Sequence, residues 1–395
     1  MSDIIFPSNQ KVSPIRVLFI YPNTFGMNMF PPAIALFSAI LKREGHSVRL
    51  FDATYYSVDY GIDSDGSKAD NLNVVPYDVS ERGIRMKTTS WVDDLQNEYD
   101  DFSPDLISMS TTEDMWNLGL SLLDSLRSRI KRDKTPVLVG GVFPTFAPDL
   151  VIAQDLVNMV CLGEGEEAMV DLCYRIGKGI NYEEVTNLWV KTDDGRLVKN
   201  GVTKPVDINS LPMIDISLFE DERLYRPMAG DWYRMLPIET IRGCPYKCTY
   251  CNSPNQIEFY KDNSTASFFR KKDVKLVHAE LENFVDNHGM EYAYFWADTF
   301  LAMSNREFDE FCEMYQDIKL PFWMQTRPET LNEEKVKRLA DVGLHRISFG
   351  VEHGNEEFRK KYLARSFKNQ DIIDKLKIPH RHGVQFSVNN ITGFP

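Results

Sequence analysis

Two long blocks of alternating strand and helix patterns constrain the fold of this 395-residue chain more than any other feature. The first block contains five short apolar runs separated by helical patterns: RVLFIYP, HSVRLFDAT, DLISMSTT, PVLVGG and NMVCLGEG. Strands that alternate with helices build βαβ units, and the strands of such units are parallel. The first block therefore predicts an α/β fold with a doubly wound parallel sheet.

The second block repeats the alternation with five further strand patterns: LPIETIRGC, YAYFWADTF, PFWMQTR, HRISFGVEHG and VQFSVNNITGFP. Regular strand–helix repetition of this kind is typical of a (β/α) barrel. The fifth pattern runs to the last residue of the chain, so we expect a partial barrel. Either the rest of the barrel is missing or another element covers the open strand edge.

These blocks predict two domains, at residues 14–180 and 237–395, with a hairpin and linker at 181–236. The hairpin should turn at Asp194-Gly195, a favoured turn dipeptide. A long polar stretch without periodicity lies within the first domain, from Tyr55 to Ser90. Such a stretch is either a lid over a substrate or a plain insertion.

The overall charge argues against one class of function. Asp and Glu outnumber Lys and Arg, which gives a formal net charge of −13. A nucleic-acid binder needs a basic surface to offset phosphate charge, so we expect no nucleic-acid partner. No apolar run reaches the ~18 residues of a membrane span, and no signal peptide is evident, so we expect no membrane partner and a cytoplasmic location.

Six cysteines are too few for a disulfide scaffold, but three of them are clustered in RGCPYKCTYCNSP. Cys244, Cys248 and Cys251 follow a strand directly, where a barrel carries its site loops. Structural zinc sites normally have a fourth Cys or His nearby, and none is found. Three thiolate ligands instead suit an iron–sulfur cluster with one iron open to a small molecule. The other three cysteines, Cys161, Cys173 and Cys312, are predicted to be buried hydrophobic residues.

The spacing CxxxCxxC, with Tyr250 before the last cysteine, resembles the motif of the radical S-adenosylmethionine (SAM) superfamily. The resemblance implies that Cys244, Cys248 and Cys251 hold a 4Fe–4S cluster whose open iron is chelated by SAM. It also implies that one-electron reduction cleaves SAM to a 5′-deoxyadenosyl radical. The backbone of Tyr250 would lie near the adenine.

The downstream segment ISFGVEHGNEEFRKKYLARSF resembles the fourth-strand region of the same family. The resemblance implies that Ser348, Glu352 and Arg365 contact SAM, and the planar guanidinium of Arg365 suits its carboxylate. NNITGFP resembles the motif that packs on the adenine. The family's glycine-rich motif after the second strand is absent, and FWADTF stands there, so Asp298 is the candidate for contacting SAM in that region.

The first domain has small and polar residues at the ends of its strands, where open parallel sheets bind ligands. The candidates are Asn23, Ser110, Thr111, Gly140, Gly141, Gly163 and Gly165. Joined to a radical SAM barrel, this Rossmann-like domain resembles the cobalamin-binding domains fused to many such enzymes. The resemblance implies that the nucleotide tail of cobalamin passes Ser110, Thr111, Gly140 and Gly141.

The loop after the first strand, NTFGMNMFPP, lacks the histidine that ligates cobalt in cobalamin-dependent mutases. We therefore expect cobalamin without a protein histidine ligand, and a structural role for His46. The alternative is a domain that no longer binds cobalamin and serves as a scaffold.

Together the resemblances imply an enzyme, most simply a methyltransferase that acts on an unactivated carbon or phosphorus of a small molecule. Methylcobalamin would donate the methyl group, and flavodoxin or ferredoxin would supply electrons. Three alternatives remain open: a cobalamin-dependent oxidative cyclase or ring-rearranging enzyme, a tRNA methylthiotransferase, and a non-catalytic scaffold. A methylthiotransferase would carry a second cysteine cluster in its first domain, whereas this one has only Cys161 and Cys173.

Overall fold

The structure, a computed structural model, describes residues 13–25, 30–58 and 78–394. The chain forms two compact units. The N-terminal unit comprises Met1–Val206 and Leu211–Arg223, and the C-terminal unit comprises Asp207–Ser210 and Leu224–Pro395. In the described ranges, no helix combines the length and the apolar composition that crossing a bilayer requires.

The N-terminal unit is built on a seven-stranded sheet of order β2-β1-β3-β4-β5-β6-β7. Its strands are β1 (Arg16–Tyr21), β2 (Ser47–Asp52), β3 (Leu106–Ser110), β4 (Val137–Gly140), β5 (Met159–Cys161), β6 (Leu188–Lys191) and β7 (Leu197–Lys199). The first five strands are parallel, which confirms the predicted doubly wound sheet. The predicted hairpin is β6–β7, and it extends the sheet because β6 pairs antiparallel with β5.

Seven helices of the N-terminal unit accompany this sheet in the described residues. They are α1 (Pro32–Arg43), α2 (Trp91–Phe102), α3 (Trp116–Ser125), α4 (Arg127–Asp133), α5 (Val142–Phe146), α6 (Pro148–Ile152) and α7 (Glu166–Lys178). The helical segment after β3 is divided into α3 and α4 at Leu126. Strand residues such as Leu18, Ile20 and Val139 are fully buried, because both faces of a parallel sheet are covered.

Part of the long polar stretch between Tyr55 and Ser90 is described. Tyr56 forms a bridge with Lys87, and a short 3₁₀ helix spans Val79–Arg82. The intervening residues 59–77 lie outside the described part of the chain. The two hypotheses for this stretch, a lid or a plain insertion, therefore stay predictions.

The C-terminal unit is built on a six-stranded sheet of order β15-β14-β13-β12-β9-β8. The strands of the unit are β8 (Tyr225–Met228), β9 (Asp231–Glu239), β10 (Ile241–Arg242), β11 (Arg270–Lys271), β12 (Tyr292–Trp296), β13 (Phe322–Thr326), β14 (Leu344–Glu352) and β15 (Gln385–Asn390). The five predicted strands are present and parallel, as β9, β12, β13, β14 and β15. The short pair β10–β11 is separate from this sheet.

The first strand of this unit begins earlier than its sequence pattern suggested. β9 starts at Asp231 and pairs antiparallel with β8, in a segment expected to be a connector. The pairing ends at Arg234, so Pro237 lies beyond β8. Proline removes a backbone donor and is tolerated in strands where that donor has no neighbouring strand to serve.

Six α-helices of the C-terminal unit are described. They are α8 (Asn252–Asn263), α9 (Val274–His288), α10 (Asn305–Ile318), α11 (Glu333–Val342), α12 (Glu356–Tyr362) and α13 (Asn369–Arg381). α10 begins with a capping box, in which Ser304 and Glu307 exchange hydrogen bonds. α10 covers one face of the sheet through aromatic contacts of Phe311 and Tyr315 with Phe295.

Candidate functional site

The three clustered cysteines lie in the loop after β9 and β10, at the carboxyl edge of the C-terminal sheet. Cys244 and Cys248 are buried, Cys251 is partly buried, and all three are free thiols. The Sγ atom of Cys244 lies 3.4 Å from the hydroxyl of Thr299. Cys251 caps α8 by accepting a hydrogen bond of 3.4 Å from the backbone N–H of Ser253.

The loop places two of the thiols, those of Cys244 and Cys251, near the same carboxylate. Burial raises the pKa of Cys244 and of Cys251, and the nearby carboxylate of Asp298 adds to both shifts. Within the described ranges, no three His, Cys, Asp or Glu side chains stand close enough together to hold a metal ion. Metal binding would deprotonate the thiols, since the thiolate is the ligand.

One cation lies directly beside this loop. Nη1 of Arg327 donates a hydrogen bond of 3.1 Å to Sγ of Cys248. The same guanidinium lies 3.8 Å from the centre of the Tyr246 ring and forms an ion pair with Glu329. A positive charge thus stands beside one of the three clustered sulfur atoms.

A second charged network surrounds Arg365, whose side chain is fully buried. Its Nη1 donates to the hydroxyl of Tyr250 at 3.0 Å and to Oε1 of Glu352 at 3.1 Å. Its Nη2 lies 3.6 Å from Oε2 of Glu329, too far for a hydrogen bond. Nε and Nη2 therefore lack an acceptor among the described residues. The network thus keeps unused donors on a buried cation.

Glu352, the last residue of β14, combines a rare backbone conformation with a buried carboxyl group. Its φ of +72° lies in the left-handed region, which costs a non-glycine residue about 1–3 kcal/mol and is found most often at functional sites. Burial raises the pKa of its carboxyl, while Tyr250 and Arg365 oppose that shift. The surrounding contacts must therefore fix this carboxyl in place.

Asp298 and Ser348 lie outside the Arg365 network. Asp298 follows β12, and desolvation raises the pKa of its carboxyl against the effect of the Ser253 side chain. Ser348 accepts a hydrogen bond of 2.9 Å from the indole of Trp323 and lies 3.1 Å from the hydroxyl of Ser387. The structure therefore brings Tyr250, Glu352 and Arg365 into mutual contact, whereas Ser348 belongs to a separate set of contacts.

The N-terminal unit has a different kind of site, at the carboxyl edge of its sheet. β1 and β3 are adjacent parallel strands, and the next strand in the chain after each lies on opposite sides: β2 beside β1, and β4 beside β3. The carboxyl ends of β1 and β3 therefore form the switch point where such sheets bind ligands. Asn23 follows β1, is buried, and donates a hydrogen bond of 2.8 Å to the hydroxyl of Thr54. The neighbouring hydroxyl of Thr24 is buried without a hydrogen-bond partner in the described part of the chain.

Four of the predicted residues meet between β3 and β4. Ser110 and Gly140 are paired in the sheet, and the backbone N–H of Thr111 donates to the carbonyl of Gly140 at 3.1 Å. Gly141 has a φ of +115°, and a Cβ there would lie 2.6 Å from the carbonyl oxygen of Thr111. The chain thus leaves no room for a side chain at this point.

The last two predicted glycines follow β5. Gly163 donates its backbone N–H to the hydroxyl of Thr145 at 3.0 Å. A Cβ on Gly165 would lie 3.1 Å from Sγ of Cys161 and 3.2 Å from the ring of Phe37, so this glycine allows close packing. His46 is buried and accepts a hydrogen bond of 3.3 Å from the backbone of Ile15, which is a structural role.

Comparison with known families agrees with both halves of this description. Residues 238–395 match the radical SAM superfamily, and residues 69–173 match the B12-binding domain. The chain joins a B12-binding domain to a radical SAM domain. The radical SAM domain implies a 4Fe–4S cluster and SAM, and the B12-binding domain implies cobalamin. The predicted fold class and cofactors are thereby confirmed.

Curated relatives of this radical SAM and B12-binding chain are distant. An uncharacterized methyltransferase of Pyrococcus horikoshii is 23% identical over 370 residues, covering 92% of this chain and 70% of the relative. The anaerobic magnesium-protoporphyrin IX monomethyl ester cyclase of Rubrivivax gelatinosus is 25% identical, covering 86% and 55%. The 4′-phospho-dehydrooxetanocin synthase of Priestia megaterium is 24% identical, covering 73% and 40%. The chain therefore spans between two fifths and seven tenths of the length of these relatives.

Two solved structures share the fold. The radical SAM methyltransferase TsrM of Kitasatospora setae matches 96% of this chain and 68% of its own, with a TM-score of 0.67 and 17% identity. The cobalamin-dependent SAM radical enzyme OxsB matches 96% of this chain and 49% of its own, with a TM-score of 0.70 and 18% identity. At this identity the likeness concerns the fold.

The side chains present suit the implied groups. The free thiols beside a cation are the donors an iron–sulfur cluster needs, and the unused donors of Arg365 suit an anionic ligand. Sequence reasoning missed Arg327 and Glu329. The signal was available in PFWMQTRPET, where both residues follow a strand at the same edge that carries Glu352.

Proposed function

We propose that this chain provides the cofactor-binding part of a cobalamin-dependent radical SAM methyltransferase that acts on an unactivated carbon or phosphorus of a small molecule. The observation that carries the proposal is the buried Arg365 network, placed at the same sheet edge as three free thiols. A structural metal site would need the thiols alone. A buried cation with unused donors indicates an additional anionic ligand at this edge.

In this proposal, Cys244, Cys248 and Cys251 hold a 4Fe–4S cluster, which when bound supplies the electron that cleaves SAM. Arg365 binds the carboxylate of SAM through Nε and Nη2, the two atoms that lack acceptors in the described residues. Glu352 orients the guanidinium from one side at 3.1 Å. The planar fork of arginine matches a carboxylate, and burial strengthens the interaction.

Asp298, Ser348 and Tyr250 complete the proposed SAM site. The carboxyl of Asp298 is close enough to the cysteines to raise the pKa values of two of them. We assign to it the amino group of SAM, since a carboxylate accepts from an ammonium. Tyr250 belongs to the cysteine loop and accepts a hydrogen bond from Arg365 through its hydroxyl, which fits a position near the adenine. Ser348 would contribute its hydroxyl to the SAM site from β14.

In the N-terminal unit, the proposed cobalamin site consists of Asn23, Ser110, Thr111, Gly140, Gly141, Gly163 and Gly165. The close approach of Gly141 to Thr111 supports this, because a backbone without side chains lets a large ligand lie against it. The loop after β1, NTFGMNMFPP, contains no histidine, so we propose that cobalamin binds without a protein histidine ligand to cobalt.

Methyl transfer is the reaction that the names of several relatives support, among them the Pyrococcus horikoshii protein and TsrM. The second candidate is an oxidative cyclase or ring-rearranging enzyme, which the cyclase of Rubrivivax gelatinosus supports. In either case we propose a flavodoxin or ferredoxin as electron donor and a cytoplasmic site of action.

The full chain, purified without oxygen and supplied with iron and sulfide, tests the proposal. It should bind iron and sulfide, and its absorption spectrum should change when hydroxocobalamin is added. With SAM, reductant and candidate substrates, mass spectrometry should detect a methylated product together with 5′-deoxyadenosine. Formation of 5′-deoxyadenosine with an unmethylated, cyclised product supports the second candidate. Zinc in place of iron contradicts both.

A further inference from the structure

Arg327 has a geometry that the proposed cluster site does not yet explain. It follows β13 directly, and its Nη1 donates to Sγ of Cys248 across 3.1 Å. Charge-assisted hydrogen bonds of this length are roughly twice as strong as neutral ones. A metal-bound thiolate keeps lone pairs, so the sulfur can accept this hydrogen bond while it ligates iron.

The guanidinium is fixed on two further sides. Its Cζ atom lies 3.8 Å from the centre of the Tyr246 ring, and Tyr246 is part of the cysteine loop itself. Its Nε donates to Oε1 of Glu329 at 2.7 Å. Only 13% of the side chain is exposed, so solvent screens its charge weakly. Arg327 is therefore held against the loop instead of being free to rotate away.

We propose that Arg327 is a positioning residue that raises the reduction potential of a cluster bound by Cys244, Cys248 and Cys251. The inference rests on the proposed function. One electron from a low-potential one-electron reductant makes the cluster more negative, and no proton or bond of Arg327 changes. A fixed positive charge and an N–H donor at a ligand sulfur stabilise the more negative state.

Glu329 limits this effect and connects it to the second network. Its Oε1 faces Arg327, while its Oε2 lies 3.6 Å from Nη2 of Arg365. The carboxylate partly neutralises both cations. Arg327 nevertheless dominates at the cluster, because its Nη1 contacts Sγ of Cys248 directly whereas Glu329 contacts Arg327. The sign of the proposed shift is therefore positive.

The test is a potentiometric titration of the cluster in the full chain without SAM, followed by electron paramagnetic resonance of the reduced state. Arg327→Met should lower the equilibrium constant for one-electron reduction about tenfold, which is a fall of about 59 mV. Arg327→Lys keeps the charge and loses the planar fork, so its fall should be smaller. Arg338→Gln is the matched control, since Arg338 pairs with Asp309 on the helices, and its potential should equal the parent's.

Iron and sulfide content is measured for every variant before the titration. If Arg327→Met fails to assemble a cluster, Arg327→Lys decides, and it should titrate below the parent and the control. A loaded Arg327 variant with the parent's potential overturns the inference. A lowered potential without any methylated product supports the inference and contradicts the methyltransferase proposal. A parent chain that binds zinc contradicts both.

Discussion

The carboxyl edges of the two parallel sheets carry candidate sites that are built in opposite ways. In the N-terminal unit the candidate site depends on the absence of a side chain, as at Gly141, where a Cβ would lie 2.6 Å from a carbonyl oxygen. In the C-terminal unit the site is made by charged side chains, with Arg327 and Arg365 held by Glu329 and Glu352. The same strand–helix pattern thus supports two different candidate sites. Adding a side chain should disrupt the one in the N-terminal unit, and removing a charged side chain should disrupt the one in the C-terminal unit.

The physical reason lies in what each edge must hold. Backbone donors and a tight turn can support a large ligand without charge, which is what glycine provides. Thiolates and carboxylates are anions, and they are stable in a buried place only beside cations. The comparison therefore predicts which kind of substitution each unit tolerates.

The largest expected effect is the loss of a cluster ligand. Cys248→Ala should reduce bound iron and sulfide to background and remove the brown colour, because two thiolates do not hold the cluster. Cys312→Ala is the control, since Cys312 is a buried residue of α10 outside the cysteine loop and its loss should leave iron binding intact. Iron analysis and absorption spectra measure both. Full iron content in Cys248→Ala would contradict the assignment of the ligands. Binding of hydroxocobalamin should persist in both variants.

A buried charge supports the strand pair next to the cysteine loop. Lys272 pairs with Glu280 at 2.6 Å, and both side chains are nearly inaccessible. Lys272→Met should lower the free energy of unfolding by about 3–5 kcal/mol at neutral pH, since it leaves a carboxylate buried alone. Lys377→Met removes an exposed pair and should cost at most about 1 kcal/mol.

The pH dependence of the free energy of unfolding tests the cause of the loss in Lys272→Met. Burial raises the pKa of Glu280, so the folded chain takes up a proton at a higher pH than the unfolded chain does. Acidification from neutral pH through that raised pKa should therefore restore stability to Lys272→Met relative to Lys377→Met. Urea unfolding at a series of pH values measures the difference. A loss that is constant with pH would show that the lone carboxylate is not its cause.

The proposed role of Arg365 predicts a change in SAM affinity. Arg365→Lys keeps a positive charge and loses the fork, so the dissociation constant for SAM should rise about 10- to 100-fold, corresponding to about 1.5–3 kcal/mol. Arg359→Lys is the matched control: Arg359 is equally buried, but its Nη atoms donate to His353, Phe367 and Asn369. Calorimetry with the iron-loaded chain compares them. Equal affinities would remove Arg365 from the SAM site.

The smallest expected effect tests the glycine edge. Gly141→Ala combines a positive φ with a steric overlap and should destabilise the chain by about 1–3 kcal/mol. Gly195→Ala has a φ of +83° but nothing within 4 Å of its Cβ, so it isolates the conformational cost. Thermal unfolding should show the larger loss in Gly141→Ala, together with weaker hydroxocobalamin binding. Identical behaviour of the two variants would show that the close approach at Gly141 has no consequence.

Much of the fold could be predicted from local patterns. The ten predicted parallel strands and the hairpin at Asp194-Gly195 are all present. Each rests on residues within a few positions of one another. β8 was missed because Tyr225–Met228 is short and contains a proline, so it has little periodicity to detect. The break between α3 and α4 has no local signal in the sequence, because Leu126 is an ordinary helical residue.

The candidate site divides in the same way. The thiol spacing of Cys244, Cys248 and Cys251 is local and is visible in the chain itself. The hydrogen bond between Arg327 and Cys248 joins residues that are 79 positions apart. The contact between Arg365 and Tyr250 joins residues 115 positions apart. No local pattern can specify such distant pairs.

The amino-acid sequence alone determined the two strand–helix blocks, the place of the thiols after a strand and the small residues at the other sheet's edge. These follow from side-chain periodicity and turn preferences, which act over a few residues. Tertiary structure decided which charges meet: it brings the ends of β13 and β14 to the cysteine loop, keeps donors of Arg365 unused and turns Arg327 toward sulfur. Burial gives those charges their strength, and burial exists only when distant strands lie side by side.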